Sequence, residues 1–312
     1  MVDVVTFGEV MAMFVAAEHG PLDEADHFGV RLAGAEMNVA VGLARLGHSV
    51  SYLSAVGDDP FGDRARRELS AEGIDISGLT TDSSAPTGFQ LKNRVLRGDP
   101  SVVYFRKGSA ASQMKWFTEA EHTIRAARHL HVTGVFAALT PQTREFSFNA
   151  MRAARQAGVT VSFDPNLRPT LWPDTAEMIS TVNELAAHAD CVLPGLAEGE
   201  LTTGRKEPEA IAEFYLARGA SQVVLKLGAD GAVLHSEHGT TAEPAFPVEV
   251  VDTVGAGDGF AAGWISARLD GLDEPSALRR ACVVGATATT SEGDKDGLPT
   301  RARLRELLSQ AA

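Results

Sequence analysis

The sequence is short of cysteine, of positive charge and of long apolar runs, and each shortage removes a class of protein. Its 312 residues include two cysteines, Cys191 and Cys282, each in a short apolar run and without metal-ligand spacing. We expect two buried thiols, which suits a reducing compartment better than a disulfide-held secreted fold. Lys and Arg number 28 against 41 Asp and Glu, a formal net charge of −13, and no long basic run appears. The phosphate-binding surface of a nucleic-acid protein is therefore missing. In a chain of this sign an anion must be captured locally, by oriented backbone N–H groups or a few placed arginines. No uncharged run approaches the roughly 20 residues that span a bilayer. The opening stretch Met1-Val-Asp-Val-Val-Thr-Phe-Gly-Glu-Val carries Asp3 and Glu9 and lacks the positive start of a signal peptide. It reads as a first strand, and the expected location is cytoplasmic, without a membrane or nucleic-acid partner.

What is present is ordinary globular material, 44% hydrophobic and 22% charged, enough apolar residues for a sizeable core. Length alone suggests about two domains, but alternating strand and helix patterns commonly build one large α/β domain of this size. Gly34 to Gly47 places apolar residues at helical spacing between glycines. Strands are expected at Val50 to Val56, His129-Leu-His-Val, Val159 to Phe163, Cys191-Val-Leu and Val223-Val-Leu-Lys, with a helix at Phe61 to Ala71 and further helices between the later strands. This alternation predicts an α/β fold, a three-layer α/β/α sandwich around a mostly parallel sheet. Residues 11–33 and 86–108 break the pattern and read as β-ribbon insertions within one domain over 1–312. The second contains Thr87 to Leu96, a turn at Arg97-Gly-Asp-Pro and the strand Ser101 to Arg106. Together they are expected to form a small β lid, which suits chemistry that must exclude water.

The strongest local signal is Val248-Glu-Val-Val-Asp252-Thr-Val-Gly255-Ala256-Gly257-Asp258, read as an apolar strand feeding a glycine-rich turn that opens a helix. A helix N-terminus favours anions, because its first N–H groups lack intrahelical partners and the macrodipole is positive there. A carboxylate at that place, Asp258, should be fully ionised and able to take a proton from an attacking hydroxyl. The residues alone leave a plain helix cap open. A dinucleotide fingerprint is disfavoured because Phe260 stands at the third glycine position, and a P-loop ending Gly-Lys-Ser/Thr is absent.

The run Asp252 to Asp258 resembles the signature of the ribokinase (PfkB) family of carbohydrate kinases, and the helix Gly34 to Gly47 resembles that family's N-terminal signature. The resemblance extends over essentially the whole chain, including Gly228-Ala-Asp-Gly231 and Gly293 to Pro299. It implies an ATP- and magnesium-dependent sugar kinase with Asp258 as base and Gly255, Ala256 and Gly257 as the anion hole. Asn166, Gly228 and Gly231 are then expected near the nucleotide. Gly34, Asn38, Gln90 and Asp294 are expected around the sugar. Glu198 is expected to organise the metal and its waters. Within the family, Tyr104 to Ser112 and Asp164 to Trp172 are similar to the kinases of 2-keto-3-deoxygluconate, a sugar acid phosphorylated at its primary 6-hydroxyl. Arg106 and Arg168 offer planar donor forks that match a carboxylate, and Tyr104 adds a neutral hydroxyl.

Two positions depart from the pattern: Gln90 stands where a tyrosine is expected, and Gly195 where an asparagine is expected. Each arginine has a structural alternative, pairing with an acid such as Asp164. Lys226, at a strand end, is given no catalytic role, and His129 and His131 read as structural. A kinase of a neutral sugar such as fructose or ribose, and a sugar-binding regulatory protein without turnover, remain the alternatives. Exposed lid edges invite pairing, so a homo-oligomer through the lids is expected.

Overall fold

In the computed structural model, residues 2–95 and 100–310 are described. Positions 97–99 of the expected Arg97-Gly-Asp-Pro turn lie outside them. Strands are numbered in chain order. The larger sheet contains β1 (Val4–Phe7), β4 (Val50–Gly57), β5 (Leu79–Asp82), β8 (His129–Thr133), β9 (Thr160–Asp164), β10 (Cys191–Val192), β11 (Gln222–Lys226), β12 (Ala232–Ser236) and β13 (Gly239–Glu243). Their spatial order is β13-β12-β11-β10-β9-β8-β1-β4-β5. Pairing is parallel from β11 through to β5 and antiparallel at the β12 and β13 edge.

Successive residues of a strand face opposite sides, and here they feed two separate cores. Val4, Val50, Tyr52 and Val224 pack with the helices Ala35–Arg45, Ala256–Leu269 and Glu274–Ala288. Val5, Leu53, Leu130, Val161 and Val223 pack with Pro141–Gln156, Thr175–Ala186 and Pro208–Leu216. A sheet buried on both faces between helical layers is the three-layer α/β/α sandwich that the alternation implied. Each such side chain, fully buried, contributes about 1.5–3 kcal/mol of hydrophobic stabilisation.

A second sheet joins β2 (Met11–His19), β3 (Phe28–Ala33), β6 (Phe89–Arg94) and β7 (Val102–Phe105) in the order β3-β2-β6-β7. Met13, Val15 and Ala33 form its own small core. It lies over the carboxyl edge of the larger sheet, where its residues Gln90, Lys92 and Tyr104 share a cavity with Asp164 and Lys226 at the ends of β9 and β11. The chain runs from β1 outward to β4 and β5, then returns to β8 on the other side of β1. That reversal opens a crevice at the carboxyl ends of the strands, the place where open α/β sheets bind ligands.

The expected strand at Val248–Val251 is not formed. Val250 and Val251 are more than half exposed, and the N–H groups of Val251 and Asp252 donate to Thr289 O at 2.8 and 3.1 Å. An apolar run without a partner strand is held by the end of a helix instead. Cys191 and Cys282 are free and buried. His129 and His131 both hydrogen-bond Ser162 Oγ at 2.8 Å inside the sheet, and burial pushes each down to about 3, as structural histidines. Trp172 is buried beneath the guanidinium of Arg144, and Trp116 meets Phe146 edge to face, so neither belongs to the lid. Among the described residues no helix is long and apolar enough to cross a membrane.

Candidate active site

Under the second sheet lies a cavity of about 410 Å³. Its wall includes Gly34 and Asn38 from the N-terminal helix, Gln90, Lys92, Tyr104 and Arg106 from the lid, and Asp164, Asn166 and Arg168 after β9. Glu198, Lys226, Gly255, Gly257, Asp258 and Asp294 complete the side nearer the sheet. Most residues singled out from the sequence are thus brought to one place, although they span more than 250 positions. A wider groove of about 1090 Å³ opens at the opposite edge of the sheet. Its Arg128, Arg155 and Arg268 each donate to a main-chain carbonyl, and Arg128 also pairs with Asp3 at 2.8 Å.

The turn that presents Asp258 depends on Gly255. Its φ is +85°, a left-handed conformation that glycine adopts without strain, and a Cβ there would stand 2.4 Å from Asp294 O. The helix Ala256–Leu269 begins directly after it, with Asp258 in the first turn. Asn38 Nδ2 donates to Asp258 Oδ2 at 2.8 Å, and Asn166 Nδ2 approaches Oδ1 at 3.4 Å. Asn166 is held at φ +38°, the one left-handed residue other than glycine among those described. Gly34, at φ +153°, is packed so closely that a Cβ would meet Glu9 O at 2.4 Å.

Asp258 differs from expectation in its charge. Burial raises its pKa from 3.8 to about 8, helped by the negative charge of Asp164 and opposed by the Asn38 bond and the charges of Arg168 and Lys226. In the unliganded protein it is therefore mostly protonated at neutral pH. The helix N-terminus favours the anion, but removal of the carboxylate from water is the larger effect.

Arg106 is paired, though with a different acid from the one considered. Its Nε and Nη2 lie 2.6 Å from Glu9 Oε2, and Ser109 Oγ donates to Glu9 Oε1. Its guanidinium carbon stands 5.7 Å from the ring centre of Tyr104, which is 44% exposed. Arg168 is exposed and donates to Leu167 O. Asp164, the expected structural acid, is bound by Lys226 Nζ at 2.6 Å and by the N–H of Asn166 at 3.1 Å.

Glu198 uses both oxygens, accepting the N–H groups of Leu167 at 2.7 Å and Gly195 at 2.8 Å. Gly195 lends a backbone donor where an asparagine would also offer an amide. No group of three metal-ligating side chains forms a cage among the described residues. This fits magnesium, which keeps several waters and is held through one or two carboxylates and the phosphates of a nucleotide. Gly228 and Gly231 stay outside the cavity wall, in the short turn between β11 and β12. Gly228 faces open space, and a Cβ on Gly231 would meet Glu243 O at 2.1 Å. Ala256 also lies behind the wall, as the first helical residue.

Several site residues escaped the sequence reading. Lys226 lines the wall with its side chain 17% exposed, rather than standing in solvent, because a strand end at the carboxyl edge of a parallel sheet points into the crevice. Glu9, directly after β1, had the same topological signal. Glu36 is buried with Thr133 Oγ1 donating to it, and desolvation raises its pKa to about 7. Lys92 lies inside a polar-looking lid strand and carried no signal.

The profile of the pfkB family carbohydrate kinases matches residues 1–301. Over 311 residues the chain is 50% identical to the 2-dehydro-3-deoxygluconokinase of Bacillus subtilis (strain 168), covering 98% of this chain and 95% of that protein. The crystal structure of a PfkB protein from Polaromonas sp. JS666 is similar at a TM-score of 0.90 and 48% identity, covering 98% of this chain and 99% of the other. An E. coli protein given the provisional name Ribokinase II, solved with ATP and Mg2+, superposes at 0.92 with 28% identity, covering 99% and 100%. A full-length match of this kind, on a fold whose signature turn frames a buried aspartate, settles membership: the chain belongs to the pfkB family of carbohydrate kinases.

Proposed function

We propose that the protein transfers the γ-phosphoryl group of ATP to the 6-hydroxyl of 2-keto-3-deoxygluconate, giving 2-keto-3-deoxy-6-phosphogluconate. The observation that carries this reading is one cavity lined by both Asp258 and two arginines, Arg106 and Arg168. The relative in Bacillus subtilis bears the name of this reaction. Arg106 has five N–H donors, of which Glu9 takes two, so an in-plane edge of three donors remains for a substrate carboxylate. Arg168 and the hydroxyl of Tyr104 complete that end. Gly34, Gln90 and Asp294 stand around the sugar, as does Asn38, whose Oδ1 is buried without a hydrogen-bond partner and can accept a hydroxyl.

With the acid end held there, the far hydroxyl meets Asp258 at the Gly255–Gly257 turn. Asp258 takes the hydroxyl proton as the oxygen attacks phosphorus, and the bond from phosphorus to the ADP oxygen breaks. Bound magnesium neutralises phosphate charge. Glu198 stands where its carboxylate can orient the metal's waters, Asn166 steadies Asp258, and Gly228 and Gly231 edge the nucleotide side. Positioning supplies most of the catalysis, because phosphoryl transfer needs little covalent help. The work belongs where ATP is made and used, the cytoplasm.

A panel of ketodeoxy sugar acids, fructose, ribose and nucleosides tests the substrate. The acid should give the highest kcat/KM, and a neutral sugar ranking first overturns the assignment. A homo-oligomer built through the lids is a second part of the proposal, supported by Val103, Tyr104 and Phe105, 44–47% exposed on the edge strand β7. A monomer in light scattering at assay concentration removes it.

A further inference from the structure

The lid meets the catalytic half of the molecule through three cations. Arg94 of β6 pairs with Glu292, Lys92 of β6 with Asp294 and Arg31 of β3 with Asp296. The three acids alternate along one loop, and the two β6 cations are two residues apart, on one face of the strand. The outer pairs are open to solvent, with side-chain exposures of 31–45%, and such pairs contribute little. The middle one differs. Lys92 is 3% exposed, its Nζ lies 3.1 Å from Asp294 Oδ1, and it also lies 2.6 Å from Asp252 Oδ2. Burial alone lowers the pKa of a lysine, but the two carboxylates raise that of Lys92 above its ordinary value.

The two acids hold the two segments that meet at the signature turn. Asp252 accepts the N–H of Val254 at 3.0 Å, which starts the turn. The main-chain oxygen of Asp294 packs against Gly255 so closely that no side chain fits between them. Without the ammonium, two buried carboxylates would face one another and push these segments apart. Breaking a buried pair in this way leaves uncompensated charge, which is far costlier than losing a surface pair.

We propose that Lys92 is a positioning residue for phosphoryl transfer. Reaching in from the lid, it binds Asp252 and Asp294 together and fixes the Gly255 turn, and so Asp258, in register with the sugar under the lid. It touches no reacting atom. The role rests on the phosphoryl-transfer reading above, but not on which sugar is preferred.

The test compares Lys92→Met, Lys92→Arg and the exposed-pair variant Arg31→Met, each checked by thermal unfolding and assayed with the best substrate of the panel. Lys92→Met should lower kcat by about 100-fold, as a misplacement on the order of 1 Å does, while the KM for ATP changes by less than about threefold. Lys92→Arg should fall between, and Arg31→Met should stay within about twofold of wild type, as expected for an exposed pair. Adding Asp252→Asn to Lys92→Met should cost less than the product of the single losses, since one of the facing charges is gone. Hydrogen exchange on the unliganded proteins needs no substrate, and in Lys92→Met the amides of β6 and of 252–258 should exchange faster together.

A folded Lys92→Met with kcat within about twofold of wild type overturns the role, as does a strictly multiplicative double variant. So does Arg31→Met losing as much as Lys92→Met. If Lys92→Met does not fold, Lys92→Arg decides, and wild-type kcat there overturns the proposal. A neutral sugar winning the panel would sink the substrate assignment and leave these ratios readable.

Discussion

As the base we propose, Asp258 has to serve two opposed requirements. It must be ionised to take a proton, yet its oxygens are enclosed by Asn38, Asn166 and the first turn of its helix, with 8% of the residue exposed. A base with a pKa near the working pH gives up little in protonation state and gains proton affinity. Because burial raises the pKa to about 8, the competent carboxylate fraction grows as pH rises through that value. We expect kcat/KM, which reports the free enzyme, to rise with pH and level off above about 8, and Asp258→Asn to lose about 10²–10⁴-fold in kcat at every pH. A pH–rate profile with its midpoint near 4 would show that Asp258 is not buried in this way.

At the scale of elements, the turn before Asp258 carries the site, and it is made by coil rather than by a strand. The run Val248 to Val251 has the apolar β-branched composition of a strand, but it pairs with no strand of either sheet among the described residues. Its N–H groups go to Thr289 instead, which ties the turn to the end of the neighbouring helix. Gly255 is then fixed by two independent constraints, its positive φ and its contact with Asp294 O. For Gly255→Ala the left-handed backbone alone costs about 1–2 kcal/mol, and the added Cβ must push the Asp294 loop away. We expect the variant to fold with a lowered thermal midpoint and to lose most of its kcat. Unchanged kcat/KM would mean that the spacing between the turn and Asp294 does not matter for transfer.

Over the whole molecule, burial of charge shapes stability against pH. Glu36 and Asp258 titrate at about 7 and 8 when folded, against 4.5 and 3.8 in their ordinary state. Both hold protons in the folded protein that the unfolded chain releases, so their contribution, complete below about pH 4, is lost progressively as pH rises to the folded values and is gone above about 8. His129 and His131 act on the acid side. They stay neutral in the fold down to about 3, while the unfolded chain protonates them below 6.5, so stability also falls as pH drops through that window. Calorimetry should show the thermal midpoint decreasing from about pH 6.5, above which the histidines no longer offset the two acids, to about pH 8, and decreasing less in Asp258→Asn. An equal slope in both proteins would assign the alkaline loss to other groups.

Much of this could be read from local sequence. Periodicity placed the helix at Ala35–Arg45 and the buried strands at β4, β8, β9 and β11, because apolar spacing and side-chain direction are local properties of a chain. Two glycine-framed segments, around Gly34 and around Gly255, identified the family because each needs particular residues at fixed short spacing. The pairings across the cavity were not local. Arg106 meets Glu9 rather than Asp164, Lys226 meets Asp164, and Lys92 meets Asp252 and Asp294 across as many as 202 positions. Which cation neutralises which carboxylate depends on where the sheet's carboxyl edge and the lid bring them together. Whether Asp258 carries its charge depends on how much water that closure removes. The sequence by itself determined the fold and singled out Asp258; the charges and partners around that residue were decided only when the lid packed over the sheet, since desolvation and pairing act through space and not along the chain.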